Sequence, residues 1–257
     1  MPRAFRSIAF AASSADDAQA ALRDLSARYA SVSIEEADVI VALGGDGFVL
    51  QMLHRTMNSG KLVYGMNRGS VGFLMNEYST DGLLDRIAHA AENSIHPLKM
   101  ETVDQSGETR IEFAINEVSV FRQSYQAAKL RVRVDGRQRL AELICDGLLL
   151  ATPAGSTAYN FSAHGPILPL EAPLLALTPI SAFRPRRWRG ALIPDRVHVE
   201  IEVLEADKRP VNAVADHEEV KSIVSVRIMQ SKDDTAWLLS DPDHSWSDRI
   251  LAEQFID

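Results

Sequence analysis

The chain has 257 residues, 46% of them hydrophobic and 24% charged, a composition that suits one large globular domain or two small ones and excludes a disordered chain. Lys and Arg number 27 against 35 Asp and Glu, a net charge of −8, so the molecule on average repels a phosphate backbone and nucleic acid is not an expected partner. The single cysteine, Cys145, excludes an internal disulfide and a zinc cluster built on several thiolates, and no two histidines stand in a His-x-x-x-His pair.

In chain order, residues 7–11 read as a short strand and 16–30 as a helix, with Ala18, Leu22, Leu25 and Tyr29 close to one face. Residues 39–43 are a purely apolar run of the kind found in parallel strands covered on both faces. A short helix over 48–57, a strand over 61–66 and a helix over 81–92 follow. This alternation predicts an α/β unit. The pattern changes near His96 and Pro97. Beyond it, strands are expected over 110–115, 117–121, 128–134, 140–150, 196–203, 211–214 and 222–229, without helices between them. Asp135-Gly136 is a hairpin signal between two alternating runs. Residues 245–255 read as a last helix. The expected domains are 1–97 (α/β), 98–232 (β-rich) and a tail, 233–257.

The N-terminal apolar run, 8–12, is too short for a signal sequence and is followed by polar Ser13, Ser14, Asp16 and Asp17. No apolar run reaches the roughly 18 residues of a spanning helix. These features lead us to expect a cytoplasmic protein without a membrane partner.

Three stretches carry candidate chemistry. Gly44-Gly45-Asp46-Gly47 follows a buried-type strand and precedes a helix. Ligands of open α/β sheets bind beyond the carboxyl ends of strands, glycines admit close backbone approach, and a helix N-terminus presents unpaired amides. A carboxylate there can orient a hydroxyl and accept its proton; the plainer reading is a tight turn with Asp46 as helix cap. It matches neither a Gly-x-Gly-x-x-Gly fingerprint nor a P-loop. The second stretch, 152–166, places Thr152, Ser156, Thr157 and Ser162 among Gly155, Gly165 and Tyr159. It could hold a sugar, a base edge or phosphates, with Tyr159 stacking on a flat ring, or it is a turn capped by Ser156 or Thr157. The third is Asn116-Glu117, an amide beside a carboxylate that suits paired ribose hydroxyls or an ordinary loop. Asp146 stands alone in an apolar run and must be paired or functional. Arg184, Arg186, Arg187 and Arg189 flank Trp188, as a solvated surface, a subunit contact or a phosphate clamp.

Together these motifs resemble the NAD kinase family. The resemblance rests on Gly-Gly-Asp-Gly at 44–47, Asn-Glu at 116–117, Asp-Gly at 146–147 and the long hydroxyl-rich motif Thr-Pro-x-Gly-Ser-Thr-Ala-Tyr at 152–159. Gly-Gly-Asp-Gly also occurs in lipid kinases and 6-phosphofructokinases; the hydroxyl-rich motif is far more specific. A lipid kinase would need a membrane-seeking surface or a basic amphipathic helix, and a dinucleotide sensor would not need Asp46. The resemblance implies a Rossmann-like N-terminal α/β domain, a β-sandwich-like C-terminal domain, and a tail returning to the first domain. It implies phosphorylation of the 2′-hydroxyl of the adenosine ribose of NAD, with ATP or polyphosphate as donor, to give NADP. Asp46 would be the catalytic acid/base. Asp46, Gly47, Asn116, Glu117, Asp146, Ala154, Thr157, Ala158, Tyr159, Asn160, Phe161 and Ser162 would contact NAD. Mg²⁺ would be carried on the donor phosphates with no dedicated protein ligands. A homo-oligomer, dimer or tetramer, is implied, with Asp146 reaching a neighbouring subunit's site. The sequence departs from the family pattern at Ala154, where Thr or Ser is common, at His164, which replaces a glycine, and at Asp216-His217-Glu218, where many members have Asp-Gly-Gln.

Overall fold

The structure is a computed structural model that describes residues 5–68 and 72–242. Among the described residues two compact units are formed, one by those up to 95 together with those from 233 onward and the other by 96–232. The first unit runs β1 (Ile8–Ala12), α1 (Asp16–Arg28), β2 (Val39–Leu43), α2 (Asp46–Thr56), β3 (Leu62–Asn67), β4 (Met75–Glu77), α3 (Leu83–His89) and β5 (Ala91–Ile95). The second holds β6 (Leu98–Asp104), β7 (Thr109–Ala114), β8 (Glu117–Arg122), β9 (Ala128–Val134), β10 (Arg137–Cys145), β11 (Gly147–Ala151), a 3₁₀ turn (Ala154–Thr157), α4 (Tyr159–Ser162), β12 (Leu174–Ile180), β13 (Ala191–Pro194), β14 (Val199–Val203), β15 (Val211–Ala215), β16 (Glu218–Val220) and β17 (Ile223–Gln230). The chain then rejoins the first unit as β18 (Ala236–Ser240).

The sheet of the first unit has the order β1-β2-β3-β18-β5, with β4 also paired to β3. All pairings are parallel except β18 with β5. Every residue of β2 is buried, as expected of a strand covered on both faces. Val39, Val41 and Leu43 pack with Leu25 of α1 and Leu83 and Ile87 of α3. On the alternate side Gly65 meets α2 so closely that a Cβ there would lie 2.7 Å from Val49 Cγ2. The outgoing end of β18 is fixed by a buried network. Tyr64 donates to Asp241 Oδ1 at 2.6 Å, Arg86 pairs with Asp241 Oδ2 at 2.5 Å, and the Asp241 amide donates to Asn76 Oδ1.

The second unit is a sandwich of two antiparallel six-stranded sheets, β10-β9-β14-β17-β6-β7 and β13-β12-β11-β8-β15-β16. Strict alternation in β9, β14 and β15 sends every second residue into the shared core. Val118 and Val120 of β8 and Leu148 and Leu150 of β11 belong to that core. Each such side chain contributes roughly 1.5–3 kcal/mol. The Asp135-Gly136 turn joins β9 and β10 with both residues at positive φ, 49° and 70°, the twist a tight two-residue hairpin requires.

The architecture is the α/β unit followed by a β-sandwich that the sequence implies, with the tail returning to the first unit. Several boundaries differ. The helix expected over 81–92 stops at His89, and Ala91–Ile95 is a strand. There β18 offers an open edge, and Asn93 Nδ2 reaches Leu238 O and Ser240 Oγ; tertiary pairing overrides helix propensity. The single strand expected over 140–150 is two, divided at Asp146, because β10 and β11 belong to different sheets. Strands β4, β5, β6, β12, β13, β16 and β18 were not individually expected. The expected helix over 245–255 lies outside the described residues.

Candidate active site

In the first unit, β2 delivers the chain to Gly44-Gly45-Asp46-Gly47 and straight into α2. The helix is capped by Gly45, whose carbonyl accepts from Phe48 and Val49 at 2.9 and 3.2 Å. Asp46 is therefore the first helical residue and does not cap its own helix. Its carboxylate turns to the loop before β4. Oδ2 accepts from the Phe73 amide at 2.9 Å and Oδ1 from the Leu74 amide at 3.0 Å. Gly72 lies against the same carboxylate, where a Cβ would sit 2.3 Å from Oδ1. Gly45 and Gly47, by contrast, have open space where a Cβ would be. Gly45 and Gly47 are exposed and Asp46 is half-buried, and the first-turn amides of α2 have no intrahelical acceptor. Gly72, Phe73 and Leu74 were absent from the sequence-derived set. Their signal was the glycine pair Gly69 and Gly72 just beyond a strand end.

In the second unit, the motif 152–166 packs on the outer face of the sheet that contains β8 and β11. Thr152 donates through Oγ1 to Ile115 O at 2.7 Å and through its amide to Asn116 O at 2.9 Å. Its Oγ1 accepts from the Gly155 amide at 3.0 Å. Gly155 approaches so closely that a Cβ would fall 2.1 Å from Asn116 O. Ser156 is fully buried, donating to Pro153 O and accepting from the Leu168 amide. It closes the loop rather than capping a helix.

The loop presents an aromatic ledge. Tyr159, 39% exposed, stacks on Phe121 with centroids 5.6 Å apart and planes 22° from parallel. Gly147 is needed below this ledge, since a Cβ there would meet Val120 O at 2.5 Å and the Phe121 ring at 3.0 Å. Phe161 and Ser162 are exposed, Thr157 and Ala158 half-buried. Ala154 and Asn160 face the interior. Asn160 donates to Ser156 O and Pro166 O and accepts from Thr178 Oγ1. Its side-chain amide is thus taken up within the loop and by β12. His164 holds a φ of 62°, a left-handed conformation that glycine adopts without steric cost.

Glu117, at the start of β8, is largely buried, and its Oε2 has no hydrogen-bond partner among the described residues. Burial, then the nearby Asp216 charge, pushes its carboxyl up to about 8. The Tyr159 phenol is raised as well, by burial and then by the charges of Glu117 and Asp146. Asp146 sits where the chain switches sheets, paired with Arg122 at 2.6 Å, so the lone acid of the apolar run has a partner. The arginine cluster lies on the β12–β13 connection. All four guanidinium-bearing residues are exposed, and Arg184 and Arg186 lie 5.6 and 5.3 Å from the Phe183 ring centroid. Trp188 packs on the sandwich core. Asp216 was noted in the sequence only as part of a departure from the family pattern.

The geometry gives one unit a glycine-flanked carboxylate at a helix start and the other an aromatic ledge with a buried acid. Residues 115–239 match the ATP-NAD kinase C-terminal domain. The chain is 72% identical to an NAD kinase of Rhizobium meliloti, over 99% of both chains. This chain belongs to the NAD kinase family. An NAD kinase of Mesorhizobium japonicum is 62% identical over 99% of both chains, and one of Caulobacter vibrioides 57% identical over 96% of this chain and 95% of that one. Among solved structures, the yeast NADH kinase complexed with NADH superposes with a TM-score of 0.74 at 24% identity, covering 84% of this chain. This chain spans 65% of the yeast enzyme's length. An NAD kinase from Archaeoglobus fulgidus in complex with ATP gives 0.72 at 21% identity, covering 92% and 93%. At these identities the two structures show the shared fold.

Proposed function

We propose that this protein phosphorylates the 2′-hydroxyl of the adenosine ribose of NAD with ATP, giving NADP and ADP. The observation that carries this reading is Asp46, intact in its two-amide cradle, in a chain 72% identical to an NAD kinase over nearly its whole length. The 2′-oxygen attacks the terminal phosphorus, the bond from that phosphorus to ADP breaks, and the hydroxyl proton passes to the Asp46 carboxylate and on to water. Phosphoryl transfer has a loose transition state, so holding the hydroxyl in line matters more than forming a full alkoxide. A carboxylate has about four acceptor positions; the Phe73 and Leu74 amides occupy two, leaving capacity for a hydroxyl. In the second unit, Tyr159 offers a stacking face, and Glu117 and Asn116 offer acceptors and a donor for ribose hydroxyls. Gly47, Ala154, Thr157, Ala158, Asn160, Phe161 and Ser162 complete the proposed contact set.

A Mg²⁺ would be carried by the donor phosphates and water, where it would neutralise phosphate charge. We further propose a cytoplasmic homo-oligomer in which Asp146, 40% exposed, serves a neighbouring subunit's site. Sizing at micromolar concentration should show a species larger than one chain; an active monomer refutes that part.

Incubation with NAD, ATP and Mg²⁺ should yield a product read by an NADP-specific dehydrogenase. A parallel arm with polyphosphate separates the two donors. An NAD analogue lacking only the adenosine 2′-hydroxyl should bind and give no product. Phosphorylation of that analogue would overturn the regiochemistry, and failure to form NADP from NAD would overturn the reading.

A further inference from the structure

Asp216 stands in the two-residue turn between β15 and β16 with a φ of 51°. Its carboxylate gathers three consecutive backbone amides. Oδ2 accepts from Ile115 at 2.7 Å, and Oδ1 accepts from Asn116 and Glu117 at 3.0 and 3.1 Å. Its own amide donates back to Glu117 O at 3.1 Å. Three amides converging on one carboxylate form an anion nest. The carbonyls of the same segment are taken from the other side by Thr152, which binds Ile115 O and Asn116 O. Residues 115–117 are thus strapped on both edges, and the Asn116 and Glu117 side chains project from the strapped segment.

We propose that Asp216 is a positioning residue of the dinucleotide site: its carboxylate fixes the 115–117 backbone through three amides and so sets the Asn116 and Glu117 side chains for the ribose diol. This rests on the reading of Asn116 and Glu117 as ribose contacts. Ribose hydroxyls are donors, and an ionised carboxylate accepts from two of them. In the free protein the Glu117 carboxyl is held near 8 by burial and by Asp216, so it is mostly protonated at neutral pH. The other titratable and charged groups around it are the Tyr159 phenol from α4, the Arg122–Asp146 pair at the far end of β8, and His217 with Glu218, 3.5 Å apart, beside Asp216. Of these, Asp216 is the charge that raises Glu117.

The test uses the full chain and NAD without phosphoryl donor. Calorimetry in two buffers of different ionisation heat counts protons, and the Kd is followed from about pH 6 to about pH 9. The wild type should release on the order of one proton per NAD at neutral pH, with affinity rising to a plateau above a midpoint near 8. Asp216→Asn keeps the size but removes the charge, and its amide nitrogen faces the Ile115 amide. Its midpoint should fall by roughly one pH unit or more. Above the midpoint, where Glu117 is ionised in both proteins, its Kd should still be weaker by about fivefold or more, roughly one lost hydrogen bond. Glu117→Gln should abolish the proton release, which keeps the test decisive if Asp216→Asn fails to fold. No proton release by the wild type, an unmoved midpoint in Asp216→Asn, or a plateau Kd within twofold of wild type overturns the proposal. A wild type that does not bind NAD at all overturns instead the reading on which it rests.

Discussion

Two carboxylates, one in each unit, show how the same functional group is prepared for different tasks. Asp46 begins a helix among glycines, with two backbone amides on its oxygens and open space around Gly45 and Gly47. Glu117 begins a strand in the sandwich, largely buried, with one oxygen lacking a partner among the described residues. Under the proposed function the first, held by two amides yet approachable, would meet a hydroxyl in the transition state. The second, short of a hydrogen bond, would gain donors from a bound ligand. On that proposal chemistry belongs to the α/β unit and ligand retention to the sandwich.

Separating the two roles by mutation gives the largest effect. Asp46→Asn keeps the shape and removes the proton acceptor, so kcat should fall by about 100-fold or more, the scale of a lost general base. Steady-state kinetics with saturating ATP measures it; near-normal kcat would reduce the glycine loop to a tight turn. Glu117→Gln and Tyr159→Ala should act mainly on KM for NAD, the mark of lost uniform binding. A polar or stacking contact of roughly 1–3 kcal/mol corresponds to about 5- to 150-fold. A kcat loss as deep as that of Asp46→Asn would erase the distinction between the units.

A smaller effect sharpens the contrast through pH. The folded-state value of Glu117 is about 8 against an ordinary 4.5. The folded protein therefore binds this proton more tightly than the unfolded chain. The stability that Glu117 contributes is complete below about 4.5 and is lost as pH rises through about 8. Urea unfolding of wild type and Glu117→Gln across that range should show the decline in the former only; parallel curves would remove the buried acid from the account. The smallest effect concerns the loop that carries Tyr159. His164 occupies a left-handed φ of 62°, at a cost of about 1 kcal/mol for a residue with a Cβ. His164→Gly should raise stability by about 0.5–1 kcal/mol and leave KM for NAD unchanged. A thermal melt and a KM determination on the same preparation check both.

What could be read from the sequence follows the range of the interactions involved. The apolar run of β2 and the loop after it are local, and Asp46 was legible from them. The hairpin at Asp135-Gly136 was legible for the same reason, since positive φ is set by the two turn residues. Asp146 in an apolar stretch looked like a charge within one strand. The structure makes it the switch between two sheets, a fact fixed by the partners of β10 and β11 and not by their own residues. The Gly72–Leu74 cradle, 26 to 28 positions beyond Asp46, and the Asp216 nest, about 100 positions from Asn116, depend on long-range closure. Asn160 shows the converse. Its position in a ligand-type motif was legible, but its buried amide, shared among Ser156, Pro166 and Thr178, was not.

The claim that the α/β unit supplies chemistry and the sandwich supplies retention is tested most directly by calorimetric titration of NAD, without donor, into Asp46→Asn and Glu117→Gln side by side with wild type. The expected Kd is within about threefold of wild type for Asp46→Asn and at least about fivefold weaker for Glu117→Gln. The reverse order, with Asp46→Asn losing NAD and Glu117→Gln keeping it, would rule out this division of roles between the two units.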